Sequence, residues 1–246
     1  MLAMFKDAKE AVERISGCRI YRKTLPHGVD CYFDIERTAL KRDGIKVVFD
    51  VGANIGQSAL KYLNEFPKAE IFSFEPVANT FSELVTATSK FRRIHPYNFG
   101  MARESGEALI NVNPTSRVSS IKLKRPDDHS ETIRLETIAG FVEKHQLGTI
   151  DFLKIDTEGF DLEVLAGAAP LLRQHRVHFV QSECEPVVRT KDFVSFPVLA
   201  QFMADFGYRI FGVYEQQPEW DGKRMLLYWN AVFICEKLIP PGSRMS

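Results

Sequence analysis

The chain has 246 residues, of which 45% are hydrophobic and 26% are charged. That length suits one α/β domain with an N-terminal addition. Lysine plus arginine and aspartate plus glutamate number 32 each, so the formal net charge is zero, and we expect no nucleic-acid partner because such proteins normally carry a basic excess.

The four cysteines, at positions 18, 31, 184 and 235, are far apart, and no CxxC motif occurs. We therefore expect neither a cysteine zinc site nor a disulfide framework, but reduced thiols in a cytoplasmic protein. No apolar run approaches the roughly 20 residues of a membrane helix, so we expect no membrane partner.

Residues 2–15 are predicted to form an amphipathic helix that ends at Gly17 and belongs to an N-terminal cap region, residues 1–44. Three positions for this helix remain open: packed on the sheet, over the binding cleft, or in the contact of a homodimer.

From residue 45 onward, short β-branched or aromatic runs alternate with helical patterns, as in a parallel sheet covered by helices. The first predicted elements are a strand at Val47–Val51, a helix at about 55–65, a strand at 69–76, a helix at about 77–88 and a third strand with its exit at 93–101.

Residues 104–134 interrupt the alternation and are predicted to be an insertion with an extra strand pair, because GEALINVNP and ETIRLET flank the polar KRPDDHS. The later predictions are a helix at 138–146, a strand at Ile150–Ile155, a turn at 156–159, a helix that breaks near Gly167 and restarts at Pro170, a strand at 177–185, a helix at 197–206 and strands at 208–215 and 227–236.

The last two strands are joined by a polar connection without a helix, so they should pair antiparallel. The expected fold is therefore α/β, with the Rossmann-like, doubly wound sheet of a class I methyltransferase. That sheet is mostly parallel, ends in an antiparallel strand pair and carries an N-terminal helical cap. We predict a single domain over residues 1–246, with the Rossmann-like core at 45–236.

The loop DVGANIG follows the first strand, at the switch point where such sheets bind ligands. It lacks one glycine of the dinucleotide pattern G-x-G-x-x-G. A carboxylate at Asp50 would repel a pyrophosphate and attract the sulfonium or ammonium group of S-adenosylmethionine, while helix N–H groups donate hydrogen bonds to the carboxylate of the methionine part. We predict S-adenosylmethionine rather than NAD, bound by Asp50, Gly52, Asn54, Gly56 and Gln57.

Glu75 lies 25 residues after Asp50 and ends the second predicted strand, where an acid can bind ribose hydroxyls. The alternative is an acidic residue at a helix N-terminus. Pro76 beside it, and Asn98 and Met101 after the third strand, are predicted to contact the cofactor, although a plain turn explains the last two equally well.

Three segments, FDVGANIGQS, FSFEP and IDFLKIDTEGFDLEVLAGA, together resemble the FkbM family of S-adenosylmethionine-dependent methyltransferases over about residues 47–185. The resemblance implies O-methylation of a hydroxyl on a sugar, glycan or secondary metabolite. Spacing alone indicates only a methyltransferase. N-methylation of a small molecule and a nucleotide-binding module without catalysis remain as alternatives.

Transfer of a methyl group to an alcohol needs a positioned acceptor and a base or metal to remove its proton. Asp156, at the tip of the fourth strand, is predicted to be catalytic, together with Glu158 and Glu183. The same three carboxylates are predicted as ligands of Mg²⁺, or one of them acts as a base without metal. The structural alternatives are a helix cap for Asp156 and an ion pair with Arg189 for Glu183.

Overall fold

The computed structural model describes residues 12–17, 25–112, 119–120, 130–186, 193–218 and 225–240. The elements of its first half are α1 (Cys31–Glu36), α2 (Lys41–Gly44), β1 (Val47–Val51), α3 (Gln57–Glu65), β2 (Glu70–Phe74), α4 (Ala78–Thr88), β3 (Ile94–Tyr97), β4 (Gly100–Met101), β5 (Gly106–Val112) and β6 (Ser119–Ser120). The second half contains β7 (Ser130–Glu136), α5 (Ile138–Lys144), β8 (Ile150–Ile155), α6 (Asp161–Arg173), β9 (Val177–Glu185), β10 (Val194–Ser195), α7 (Phe196–Asp205), β11 (Tyr208–Pro218), β12 (Leu226–Cys235) and a 3₁₀ turn at Glu236–Leu238.

The main sheet has the strand order β11-β12-β9-β8-β1-β2-β3, with β10 paired to β9. Strands β3, β2, β1, β8 and β9 run parallel, whereas β12 is antiparallel to both β9 and β11. The predicted doubly wound sheet with an antiparallel terminal pair is confirmed. Strand order reverses around β1, which places a ligand site beyond its carboxyl end.

Both faces of the main sheet are buried, so its strands are apolar throughout rather than alternating. Phe49 and Val51 of β1 face a core completed by α5, α6 and α7, and Val48 faces the other core, where α1 and α3 pack. This double burial explains why the ends of β1 and β8 agree with their predicted bounds.

The N-terminal region is described in part. Residues 12–16 are helical, and Gly17 follows with φ 68° while its N–H donates to the carbonyl of Glu13, as expected for a helix that ends there. Residues 1–11 of the predicted helix lie outside the described residues. Asp30 is the N-cap of helix α1, and its carboxylate accepts hydrogen bonds from the N–H groups of Tyr32 and Phe33.

The insertion forms a second sheet with the strand order β4-β7-β5-β6. The predicted antiparallel pair is present as β5 and β7. Residues 93–101, predicted as the third strand and its exit, contain two strands: β3 ends at Tyr97, and β4 in the exit segment pairs with β7. The chain turns between them because the side-chain amide of Asn98 donates to the carbonyl groups of Glu75 and Pro76, each at 3.0 Å.

The predicted break near Gly167 is also wrong, because α6 is continuous through Pro170. A Cβ at Gly167 would lie 2.1 Å from the carbonyl oxygen of Ala102, so this glycine lets the helix pack closely on the chain after β4. Leu171 and Leu172 beyond Pro170 are buried in the core and hold the last turn in place.

Cys184 and Cys235 are buried, as predicted, and Cys18 lies outside the described residues. Across the described ranges, no helix combines the length and apolar character needed to cross a membrane.

Candidate active site

A cleft opens at the carboxyl-terminal edge of the main sheet, where the segments after β1, β2 and β8 meet. Its cavity volume is about 110 Å³, and it is partly open to solvent. Its lining residues include Val51, Gly52, Asn54, Glu75, Pro76, Val77, Met101, Ile110, Ile133, Leu135, Asp156, Thr157, Glu158 and Phe160.

Gly52 lies where the ends of β1 and β8 come into contact. Its φ is 74°, and a Cβ on it would lie 1.9 Å from the carbonyl oxygen of Asp156. The N–H of Asp156 in turn donates to the carbonyl of Val51 at 3.1 Å. The sequence predicted that Gly52 contacts the cofactor. In the structure, the missing Cβ of Gly52 lets the backbone after β8 approach the end of β1 closely.

Glu75 connects the loop after β1 to the start of α4. Its Oε2 accepts the N–H of Asn54 and its Oε1 accepts the N–H of Val77, both at 3.0 Å. The side chain is 7% exposed, and burial raises its pKa to about 7, although the two N–H donors act in the opposite direction. Each carboxylate oxygen has a second acceptor position, so Glu75 can also accept two hydroxyl groups from the cleft.

Three further residues predicted to bind the cofactor lie after β2 and β3. Pro76 and Met101 line the cleft. Asn98 does not line it, because its side chain donates to the backbone of Glu75 and Pro76. Asn98 therefore fixes the segment that carries Glu75.

The loop after β1 divides its residues between the cleft and the protein interior. Gly52 and Asn54 line the cleft, and Asn54 has a positive φ of 50° that presents its N–H to Glu75. Gly56, with φ 95°, packs against α4 instead, where a Cβ would lie 2.9 Å from Leu84. Gln57 is exposed at the start of α3, so neither Gly56 nor Gln57 lines the cleft.

Asp50 also lies outside the cleft, in contrast to the prediction. It is the penultimate residue of β1 and is fully buried. The Nζ of Lys154 lies 3.3 Å from its Oδ1 and 3.3 Å from Oδ2 of Asp156, and donates to the carbonyl of Gly52 at 3.0 Å. The charge of Asp50 is thus compensated inside the protein by Lys154 and is not offered directly to a ligand.

Lys154 is the residue of this group that sequence reasoning left without a role. Burial by itself lowers the pKa of Lys154, but the carboxylates of Asp156 and Asp50 together raise it by more. The net pKa therefore lies above the ordinary lysine value. The ammonium therefore stays charged. The signal was present in the sequence, since the lysine in the otherwise apolar strand segment FLKI is rarely buried without a partner.

The loop between β8 and α6 is held by Asp161, which the sequence analysis did not single out. Its Oδ2 accepts the hydroxyl of Thr157 at 2.7 Å, and its Oδ1 accepts the hydroxyl of Ser182 at 2.7 Å. Burial raises the pKa of Asp161, while the two hydroxyl donors lower it. Helix α6 has no side-chain cap, so the alternative that Asp156 caps it is not observed.

The other two predicted catalytic carboxylates are placed differently from each other. Glu158 lines the cleft with φ 51°. Glu183 lies inside β9, opposite Asn230 of β12, and does not line the cleft. Burial raises its pKa to about 8, and the nearby carboxylates, Asp156 first among them, add to this rise. Arg189, its alternative partner, lies outside the described residues.

The predicted magnesium site is not formed. Among the residues that the structure describes, no group of three or more His, Cys, Asp or Glu side chains could hold a metal ion, and Asp156, Glu158 and Glu183 are all described. The geometry gives the reason, because Asp156 is paired with Lys154 and Glu183 lies within a strand.

The second sheet supplies one wall of the cleft. Ile110 of β5 and Ile133 and Leu135 of β7 line it, and the first two pack with Val77 in a small buried cluster. The sequence predicted these strands, but it did not show that they close the cleft.

Comparison with known proteins gives a family match over residues 50–210, to the methyltransferase FkbM domain. Hexuronic acid methyltransferase AglP of Haloferax volcanii is 32% identical over 149 residues, covering 59% of this chain and 59% of that protein. The 2-O-methyltransferase NoeI of Sinorhizobium fredii is 24% identical over 155 residues, covering 56% and 62%. The chain spans about three fifths of the length of these curated relatives.

A solved structure of M. capricolum TrmK in complex with S-adenosyl-homocysteine has a TM-score of 0.47 and 11% identity, covering 77% of this chain and 62% of that chain. Similarity at this level carries no inference about the reaction.

Proposed function

The chain belongs to the FkbM methyltransferase family, and we propose that it transfers a methyl group from S-adenosylmethionine to a hydroxyl of a sugar, glycan or secondary metabolite. The observation that carries the proposal is one cleft that joins Glu75, whose oxygens can accept two hydroxyls, to Asp156, a carboxylate beside a buried ammonium. The two relatives support a sugar hydroxyl, since one is named for a hexuronic acid and the other for a 2-O position.

The cleft fits the cofactor by the chemistry of its walls. Glu75 would accept the ribose hydroxyls. Beside it, Val77, Met101, Ile133 and Leu135 offer the apolar surfaces that an adenine ring needs. The methionine end would lie towards Gly52 and Asp156, where β1 and β8 meet. Asp50 contributes indirectly, by holding Lys154 beneath these two residues.

S-adenosylmethionine supplies an electrophilic methyl group when it is bound. The chain must then hold a hydroxyl in line with that group and take its proton. Asp156 is suited to this role because it lines the cleft with a side chain that is 43% exposed and lies 3.3 Å from the ammonium of Lys154. Glu158 lines the same cleft and adds a second carboxylate beside Asp156.

The proposal is tested with cofactor that carries a ¹³C-labelled methyl group, incubated with a panel of sugars, glycosides and extracted metabolites. We expect a new methoxy carbon signal with wild-type protein and none with Asp156→Asn. The matched control Asp205→Asn removes an exposed carboxylate on α7, which bonds to Gln201, and should behave as wild type. Label on nitrogen would contradict O-methylation, and failure of the wild type to bind the cofactor would contradict methyl transfer altogether.

A further inference from the structure

Two aromatic rings stack at the same edge of the main sheet as the cleft. The ring centroids of Phe193 and Tyr228 are 5.0 Å apart, their planes meet at 16°, and both residues are partly exposed. Tyr228 belongs to β12, which pairs with β9, and Phe193 directly precedes β10, which pairs with the end of β9. The pair is therefore held by strands at a fixed position.

The aromatic pair lies beside the carboxylates of the candidate active site. Glu183 of β9 is directly opposite Asn230 of β12, and Tyr228 is two residues away on the same face of that strand. Burial, and after it Glu183, Asp156 and Glu158, raises the pKa of Tyr228, as expected for a phenol within electrostatic reach of these groups.

The order of the strands in the main sheet shows on which side of the cleft the aromatic pair lies. The cleft spans the ends of β2, β1 and β8, and the order continues through β9 to β12. Neighbouring strands are about 4.8 Å apart, so Tyr228 lies roughly 10 Å from β8 along the edge. An acceptor that reaches Asp156 from this side must pass over Glu183 and the two rings.

Building on the proposed function, we propose that Phe193 and Tyr228 form the acceptor subsite, and that the acceptor is an uncharged pyranoside whose C–H face packs on the rings while its hydroxyls donate to Glu183 and Asp156. Aromatic faces carry partial negative charge and attract C–H groups, and carboxylates are strong acceptors for hydroxyl donors.

The same arrangement disfavours a uronic acid. A sugar carboxylate at this position would meet the carboxylates of Asp156 and Glu158, and like charges brought together at an interface cost several kcal/mol. The charge of Lys154 lowers the pKa of Glu183, but its ammonium is already paired with Asp50 and Asp156. The acceptor preference should therefore differ from the hexuronic acid in the name of the Haloferax volcanii relative.

The test is saturation-transfer NMR on the full chain with S-adenosylhomocysteine present. The probes are methyl α-D-glucopyranoside, methyl α-L-rhamnopyranoside and methyl α-D-glucopyranosiduronic acid. We expect the ring protons of the two neutral glycosides to be saturated by the wild type, with affinity about tenfold lower for Phe193→Ala and Tyr228→Ala. Tyr228→Phe keeps the ring and should keep binding. Phe91→Ala is the matched control, because Phe91 is an exposed aromatic (41%) between α4 and β3, at the other edge of the sheet.

Calorimetry with S-adenosylhomocysteine on every variant separates the possible failures. If the cofactor product binds but the uronate binds as well as the neutral glycosides, or the alanine variants bind glycosides like wild type, the subsite is wrong and the methyltransferase proposal stands. Absence of glycoside binding by a wild type that binds the cofactor product overturns the subsite in the same way. If the wild type does not bind the cofactor product, both proposals fail.

Discussion

Lys154 Nζ and Asp156 Oδ2 are 3.3 Å apart, so an ammonium group that is 5% exposed within the sheet pairs with a carboxylate that lines the cleft. On its other side the same ammonium pairs with the fully buried Asp50. Two carboxylates and one ammonium leave one net negative charge at the junction of β1 and β8. The same ammonium therefore compensates a buried carboxylate of the fold and contacts the carboxylate that is proposed to take the hydroxyl proton.

Removing the ammonium should destabilise the fold. We expect Lys154→Met to lower the free energy of unfolding by about 3–5 kcal/mol, because Asp50 stays buried without its counter-ion. The loss should shrink on acidification, as Asp50 becomes protonated. Urea denaturation at several pH values measures both effects. Lys61→Met is the control, since its ion pair with Glu215 is about half exposed and should contribute less than about 1 kcal/mol. Equal losses in the two variants would refute the buried-pair argument.

Glu75 should make both stability and cofactor affinity depend on pH. Its pKa is raised from 4.5 to about 7, so its contribution to stability is full below pH 4.5 and is lost as the pH rises through about 7. Ribose hydroxyls bind the ionised form, so affinity for S-adenosylmethionine should instead increase from pH 6 to pH 8, with release of a proton on binding below about pH 7.

Calorimetry in buffers of different ionisation enthalpy detects that proton. Glu75→Ala should weaken binding by about 1.5–3 kcal/mol and remove the pH dependence. Glu83→Ala, an exposed acid on α4, is the control. Unchanged affinity in Glu75→Ala would exclude the ribose role.

Gly52 should tolerate no side chain. In Gly52→Ala the methyl group meets the carbonyl oxygen of Asp156, at 1.9 Å before any shift, and φ is 74°. The left-handed conformation alone costs about 1–3 kcal/mol, and separating the strand ends should also weaken cofactor binding. Thermal unfolding and calorimetry measure the two losses. A Cβ at Gly148 has nothing within 4 Å, so Gly148→Ala should change neither. Wild-type cofactor affinity in Gly52→Ala would show that the contact between β1 and β8 does not shape the cleft.

Asp156→Asn should separate binding from chemistry. The amide keeps the size of the side chain, so cofactor affinity should change little, while turnover should fall by about 10²–10⁴ if Asp156 accepts the hydroxyl proton. Single-turnover rates and calorimetry on the same preparation test this. Parallel losses of melting temperature, affinity and turnover would assign Asp156 to structure rather than to proton transfer.

Glu183 should give the pH–rate profile a step near pH 8. Its pKa is raised to about 8 by burial and neighbouring carboxylates, so it is protonated at neutral pH and ionises above about 8. We expect kcat/KM to increase through this range, since two ionised carboxylates attract a hydroxyl proton more strongly than one. Glu183→Gln should remove the step and keep cofactor affinity. A step that persists in this variant would have to be assigned to another group.

The order and type of most elements could be predicted from the amino-acid sequence, and so could the place of Glu75 and Asp156 in the cleft. This was possible because these features are local. Strands β1 and β8 are buried on both faces and therefore read as short apolar runs, and Glu75 and Asp156 directly follow strands whose parallel direction was predicted.

Three features could not be predicted in this way: the ion pair of Asp50, the close helix packing at Gly167 and the position of Ile133 in the wall of the cleft. Each depends on a partner distant in sequence: Lys154, Ala102, and the pairing of β4 with β7. The local periodicity of apolar residues indicates which face of an element is buried. It does not indicate which side chain or backbone atom of another element contacts that face. Those contacts are determined by strand order and register, which bring residues distant in sequence within contact distance.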